Sequence, residues 1–247
     1  MTCSKQLITS SFAPAERKEH SDVIVESDLL KDALKGCSFL DELPDPIIVL
    51  NPERQILFAN QTLLRALKQR DDSAVLGLRP GEVLKCVHAA NDSGGCGTTE
   101  FCRSCGAVNA ILHTQRFHTN LSRDCQVLTT NDEAFNFRVW TSTLIRNGHE
   151  YTLMVLRDIA DEIYRNSLEH IFFHDLINIG SGLYGLMSII GDDCGAYREN
   201  RMLLMGLTEE LLEEINSQLD LLAAEKGEMN VALSAVESIE IMRFVAE

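Results

Sequence analysis

Four cysteines fall within twenty residues, in the stretch Lys85-Cys86-Val87-His88 through Gly95-Cys96-Gly97 to Phe101-Cys102-Arg103-Ser104-Cys105-Gly106, with the spacing C-x9-C-x5-C-x2-C. Cys102 and Cys105 form a C-x2-C knuckle followed by glycine, a spacing at which two thiolates can share one metal ion. Four soft sulfur ligands suit zinc or an iron–sulfur cluster. The second C-x2-C pair of a zinc ribbon is missing, so His88 is a substitute ligand and Cys125 a fifth donor. Two other chemistries use the same residues: redox-active thiols that close a disulfide, or unliganded cysteines in a loop. Cys3, Cys37 and Cys194 are scattered and belong to no pattern.

A second constellation is His174-Asp175-x-x-Asn178. An exposed, neutral imidazole can take a phosphoryl group on a ring nitrogen. The adjoining Asp175 carboxylate can accept from the other ring nitrogen and fix the tautomer. Asn178, one helical turn on, shares the face of His174. His170 lies one turn earlier but is followed by Ile171, so it has no such carboxylate. The plain alternative is an ordinary surface histidine.

The element that must carry His174 is a helix. Leu168, Ile171, Phe172, Leu176, Ile179, Leu183, Leu186, Met187 and Ile190 recur at helical spacing, and His174 and Asp175 fall between them, toward water. A second run, 201–224, repeats the pattern through Leu203, Leu204, Leu207, Leu211, Leu212, Ile215, Leu219 and Leu222. The short polar connection 191–200 predicts an antiparallel hairpin. One hairpin cannot bury both stripes, whereas two copies in a four-helix bundle can. Gly180, Gly182 and Gly185 weaken the first helix or admit a close neighbour. Glu209, Glu210, Glu213 and Glu214 read as a solvated face.

The elements around the cysteines are of another kind. Residues 1–21 are polar and read as disordered or loosely helical, and a helix is expected from about Ser27, with Ser27 or Asp28 as its cap and an apolar edge of Leu29, Leu30 and Leu34 for a partner chain. Pro44-Asp45-Pro46 ends it. Strands are expected at 47–50 and 55–59 around the turn 51–54, then a helix at 61–69, a loop at 76–81, the cysteine insert at 86–106 and a helix at 107–115. Strands at 123–130, 133–145 and 150–157 follow, the last two joined by the hairpin signal Asn147-Gly148.

The totals narrow the field. The 247 residues carry a net charge of −15, against the clustered Lys and Arg that a nucleic-acid surface needs. No apolar run is long enough to span a bilayer, and the N-terminus lacks a secretory signal, so a cytoplasmic location is expected. Eight cysteines in such a chain point to metal or redox chemistry before structural disulfides.

Phe172-Phe173-His174-Asp175-Leu176-x-Asn178 resembles the phosphoacceptor and dimerisation region of sensor histidine kinases, where an acidic residue follows the His and Asn or Thr stands four places after it. The upstream order of strand, turn, strand, Ala59-Asn60 and helix resembles the start of a PAS sensor domain, and Asp158-Ile159-Ala160 resembles the turn that leads from its last strand into a signalling helix, with Ala160 where Thr is usual. The resemblance implies an α+β fold: a PAS-like antiparallel sheet with short helices, then a two-helix hairpin that pairs into a dimeric four-helix bundle. It divides the chain into a tail and helix (1–42), a PAS-like domain (43–160), the phosphoacceptor hairpin (161–225) and a linker (226–247) toward an ATP-binding domain whose Asn-rich box and Gly-rich lid are not in this sequence. It implies phosphorylation of His174, a role for Asn178 in orienting water, a homodimer, and a response-regulator receiver domain as partner. Inside a sensor domain, an iron–sulfur cluster would respond to oxygen or redox state, whereas zinc would only hold the loop. Two further classes stay open, an ATP-independent phosphotransfer protein and a metal-dependent dimerisation module.

Overall fold

A computed structural model of the chain describes residues 10–91, 93–190 and 194–225. The linker 226–247, Cys3 and the side chain of Cys194 lie outside the described residues. The chain divides into two units after Ile163.

The first unit runs α1 (His20–Ala33), β1 (Ile47–Leu50), β2 (Ile56–Ala59), α2 (Gln61–Ala66), α3 (Pro80–Val83), α4 (Val87–Ala90), α5 (Gly106–Phe117), β3 (Leu121–Leu128), β4 (Ala134–Arg146) and β5 (His149–Asp158). The five strands make one antiparallel sheet in the order β2-β1-β5-β4-β3, which matches the PAS-like α+β architecture expected. The first strand meets the last, with Ile47 opposite Val155. All four β1 residues are buried because the strand is covered on both faces. Ile48 and Leu50 join Ile56, Ile111, Val139, Met154 and Leu156 on the side of α5, while Val49 joins Val23, Leu30, Leu57 and Tyr151 on the side of α1, following the two-residue alternation of a strand.

Side chains close the turns. Asn51 Oδ1 accepts from the Gln55 amide at 2.8 Å, which tightens the β1–β2 connection. The fully buried Asn60 caps α2, accepting from the amides of Leu63 and Ile47, and donates to the carbonyls of Leu40 and Asp45. Asn147 and Gly148 have φ of +51° and +77°, the pair of left-handed residues that a two-residue hairpin requires.

Three expectations for the N-terminal region are corrected. The helix begins at His20, seven residues before the predicted cap, and Ser27 lies inside it, fully buried, donating to the Leu57 carbonyl at 2.7 Å. Its buried edge, Val23 and Leu30, covers this chain's own sheet and not a partner's, while Leu29 is exposed. Residues 10–18, read as loose, form a strap: Ser11 and Ala13 donate to the carbonyls of Thr98 and Gly97, and Ala13 is 1% exposed.

The second unit takes in most of α6 (Ala160–Ile190) and α7 (Cys194–Glu225). Asp158 caps α6 by accepting from the Ala160 amide at 2.9 Å, so the missing Thr is offset by the acid two residues earlier. Leu168, Phe172, Leu176, Ile179, Leu183 and Leu186 are half-buried, as are Leu204, Leu207, Leu211 and Ile215 of α7. Ile171 and Met187, expected within that stripe, are instead 57% and 65% exposed, and Ile177, Tyr184 and Ile189 join them. A Cβ added at Gly182 would meet Leu207 at 3.7 Å, whereas Gly180 and Gly185 face open space. No helix among the described residues is long and apolar enough to cross a membrane.

If α1 is part of the folded core, Leu30→Ala lowers unfolding free energy by about 2–4 kcal/mol, whereas Leu29→Ala stays within about 0.5 kcal/mol. Urea denaturation followed by the fluorescence of the single tryptophan, Trp140, reads both.

Candidate functional site

The cysteine insert is hung on one buried cation. Arg79 has no exposed surface. Its guanidinium donates to five carbonyls: Glu53 at 3.0 Å, Gly94 at 3.1 Å, Cys96 at 3.2 Å, Pro14 at 3.4 Å and Glu16 at 2.8 Å. The strap, the β1–β2 turn and the insert are thereby tied to one side chain. Desolvation, and then the charge of Arg54, bring Arg79 down to about 10, which leaves it charged at neutral pH. Glu82 completes the frame, accepting from the amides of Arg79 at 3.0 Å and Cys96 at 3.1 Å, and pairing with Arg17. Burial works to raise the Glu82 carboxyl, but these hydrogen bonds outweigh it and hold it below the usual carboxylate value.

Within this frame Cys86, Cys96, Cys102, Cys105 and Cys125 all line one cavity of about 270 Å³. Cys86 precedes α4, Cys96 and Cys102 lie in the glycine-rich turn and the 3-10 turn after it, Cys105 is the residue before α5, and Cys125 lies on β3. Ile111, Val127, Phe137, Val139, Met154 and Leu156 make the apolar wall. Gly81 must stay small, since a Cβ there would sit 2.8 Å from Cys96 Sγ. All four cysteines of the predicted motif therefore reach one space, and Cys125 reaches it too, because Cys125 and Val127 are the buried positions of an alternating strand.

The thiols differ in character. Cys105 Sγ and Cys125 Sγ lie 3.6 Å apart. A hydrogen bond from Cys125 holds the Cys105 thiol well below its ordinary value, against burial, and the amides of Ala107 and Val108 at the start of α5 add to this. The same contact, and then burial, push Cys125 up. Burial pushes Cys96 up to about 12. Cys102 Sγ meets Thr99 Oγ1 at 3.2 Å.

The donor chemistry fits a soft metal group. Five thiols share the cavity, and His88, which also lines it, has a buried Nδ1 with no hydrogen-bond partner while its ring stacks on Phe101 at 4.6 Å. Zinc requires every sulfur at about 2.3 Å from one point. Among the described residues no three His, Cys, Asp or Glu side chains are gathered as for a single ion.

A contact chain leaves the cavity along the sheet. Asp124, beside Cys125, holds Arg138 of β4 at 2.8 and 3.1 Å, and Arg138 also holds Glu162, in the first turn of α6, at 2.9 and 3.0 Å.

In the second unit the His174 side chain is 64% exposed, on the outside of α6 as its spacing predicts. Asp175 Oδ1 lies 3.0 Å from Nδ1, and Asn178 Nδ2 lies 3.2 Å from Nδ1 and 3.5 Å from Nε2. The three residues singled out in the sequence thus meet around one ring. Neither Arg79 nor Glu82 was singled out: in the sequence Arg79-Pro80-Gly81 has the form of a turn, and nothing local marks a cation whose partners are carbonyls from three distant segments.

No protein-family model matches this chain, and no curated protein matches it. Solved structures similar to it include the PAS domain of an HTR-like protein from Haloarcula marismortui, 18% identical over 55% of this chain and 98% of that one, with a TM-score of 0.35. A PAS domain from a two-component sensor histidine kinase is 11% identical over 52% of this chain and 98% of its own, with a TM-score of 0.35. The PAS domain of nitrogen regulation protein NR(II) from Vibrio parahaemolyticus is 11% identical over 50% and 97%, with a TM-score of 0.39. Matches this distant say nothing of ligand or chemistry, and the fold stands on the sheet order described above.

Two outcomes follow from the frame and the thiols. Arg79→Met strands buried carbonyls and costs about 3–5 kcal/mol in urea unfolding of the full chain. In metal-free protein at neutral pH, iodoacetamide labels Cys105 before the other cavity cysteines, and Cys125→Ala slows that labelling; peptide mass mapping over time reads both rates.

Proposed function

We propose that this chain is the sensory and phosphoacceptor portion of a two-component histidine kinase, phosphorylated on His174 and passing the phosphoryl group to a response-regulator receiver domain. The observation that carries this reading is the exposed imidazole of His174 with Asp175 and Asn178 around it. With Asp175 accepting from Nδ1–H, Nε2 carries the lone pair that attacks phosphorus, and the Asn178 amide 3.5 Å away must release it first. In this reading Asn178, 3.2 Å from the ring, orients water against the phosphorylated histidine. The exposed apolar residues Ile177, Tyr184 and Met187, which share one face of α6 by their spacing, support burial against a second copy, giving the four-helix bundle that the two stripes need.

In this reading the PAS-like unit is the sensor and its cysteine cavity the input. Cys86, Cys96, Cys102 and Cys105, with Cys125 and His88 at hand, would hold an iron–sulfur cluster in preference to zinc. Such a group supplies sensitivity to oxygen and redox state when bound. The protein supplies sulfur ligands, an apolar wall and the Asp124–Arg138–Glu162 contacts toward α6.

Radiolabelled phosphate from a cognate ATP-binding domain is expected on wild type and on His170→Gln but not on His174→Gln; label retained by His174→Gln would overturn the assignment. Sedimentation equilibrium is expected to give a dimer that Ile177→Glu combined with Met187→Glu converts to monomer. Anaerobically purified protein should be brown and contain iron and sulfide, and a colourless preparation with about one zinc per chain would reject the cluster.

A further inference from the structure

We propose that Cys105 and Cys125 are a peroxide-responsive thiol pair that closes to a disulfide between the start of α5 and β3. Their sulfurs are already 3.6 Å apart. A disulfide needs about 2.05 Å, so the pair must close by about 1.5 Å. The backbones are already in contact: Gly106, next to Cys105, packs so tightly on β3 that a Cβ there would lie 2.0 Å from the Asp124 carbonyl oxygen. Rotation of the two side chains therefore supplies the approach.

Both cysteines line the cavity, but they sit differently in the fold: Cys105 is a half-buried residue at the start of a helix, whereas Cys125 is a buried residue within the sheet, 5% exposed. Cys105 is the attacking sulfur and Cys125 the resolving one. The Cys105 sulfur attacks one oxygen of the peroxide, the O–O bond breaks, and a sulfenic acid forms as water or an alcohol leaves. The Cys125 sulfur then attacks the sulfenic sulfur, the S–O bond breaks, the S–S bond forms, and the hydroxyl leaves as water with the Cys125 proton. Two thiols and one peroxide give one disulfide, one alcohol or water, and one further water. The sulfurs lose two electrons and the O–O bond gains them. A dithiol reductant reverses the step by exchange.

This use of Cys105 is independent of His174. It excludes metal ligation by the same sulfur, so it belongs to the metal-free chain. The cross-link would fix β3 at the residue next to Asp124, whose carboxylate grips the arginine that also holds Glu162 of α6. Oxidation of the pair would therefore act on the contact chain from within the sheet.

The test uses the full chain, stripped of metal with a chelator, reduced, desalted and treated with stoichiometric hydrogen peroxide. Non-reducing digestion and mass spectrometry should give the Cys105 and Cys125 peptides joined, with loss of two hydrogens, as the dominant linked pair, returning to free thiols with dithiothreitol. In Cys125→Ser, Cys105 should instead be trapped by dimedone as the sulfenic acid. Should that variant fail to fold, the wild-type map decides alone. Cys105 joined mainly to Cys86, Cys96 or Cys102 while Cys125 remains a free thiol, or peroxide exposure that leaves both thiols unmodified, would overturn the proposal.

Discussion

The geometry of the cysteine insert depends on the Arg79 guanidinium. A cation without exposed surface is tolerable only when its protons are taken up, and here five main-chain carbonyls accept them. Those carbonyls come from the strap before α1, the β1–β2 turn and the glycine-rich turn that carries Cys96. Each segment is irregular, and no strand ladder runs through it. The planar donor fork supplies what a strand ladder would supply elsewhere, and the cysteine-bearing turn keeps its shape because its carbonyls are occupied.

With the frame in place, five cysteines from separate elements open on one space, and their properties diverge by position. Cys96 is protonated by burial. Cys105 is drawn toward the thiolate by a sulfur neighbour and by the amides opening α5. Cys125 gives up its proton least readily because it serves Cys105. Thiols that share one cavity thus differ in acidity by position. The histidine of the second unit is placed by simpler means: one exposed helix face, one adjoining acid and one amide a turn away.

Much of the first unit was legible in the sequence because its signals are local. The β1 run, the Asn147-Gly148 hairpin and the three-strand meander each declare themselves within a few residues. The cysteine spacing and the His174 motif were equally plain, and His174 emerges where its position between apolar residues placed it. What escaped were features decided at long range. Ser27 has the look of a helix cap, yet it spends its hydroxyl on Leu57 thirty residues away, and the true start near Glu19 has no side-chain cap. The strap at 10–18 shows no periodicity in sequence and is ordered in large part by partners far along the chain, among them the Thr98 and Gly97 carbonyls and Glu82. Ile171 and Met187 fit a helical stripe by spacing, but they stand at its two opposite edges, and both are exposed.

Carbonyl oxygens cannot take up a proton in water at any ordinary acidity. A guanidinium ringed by them, flanked by the Glu82 carboxylate held ionised by its donors, keeps one charge state from about pH 5 to 8. The scaffold of the cavity is therefore deaf to acid and alkali across the range a living cell experiences. A proton that acts on this cavity within that range acts on its thiols, Cys105 first, and not on the frame that holds them.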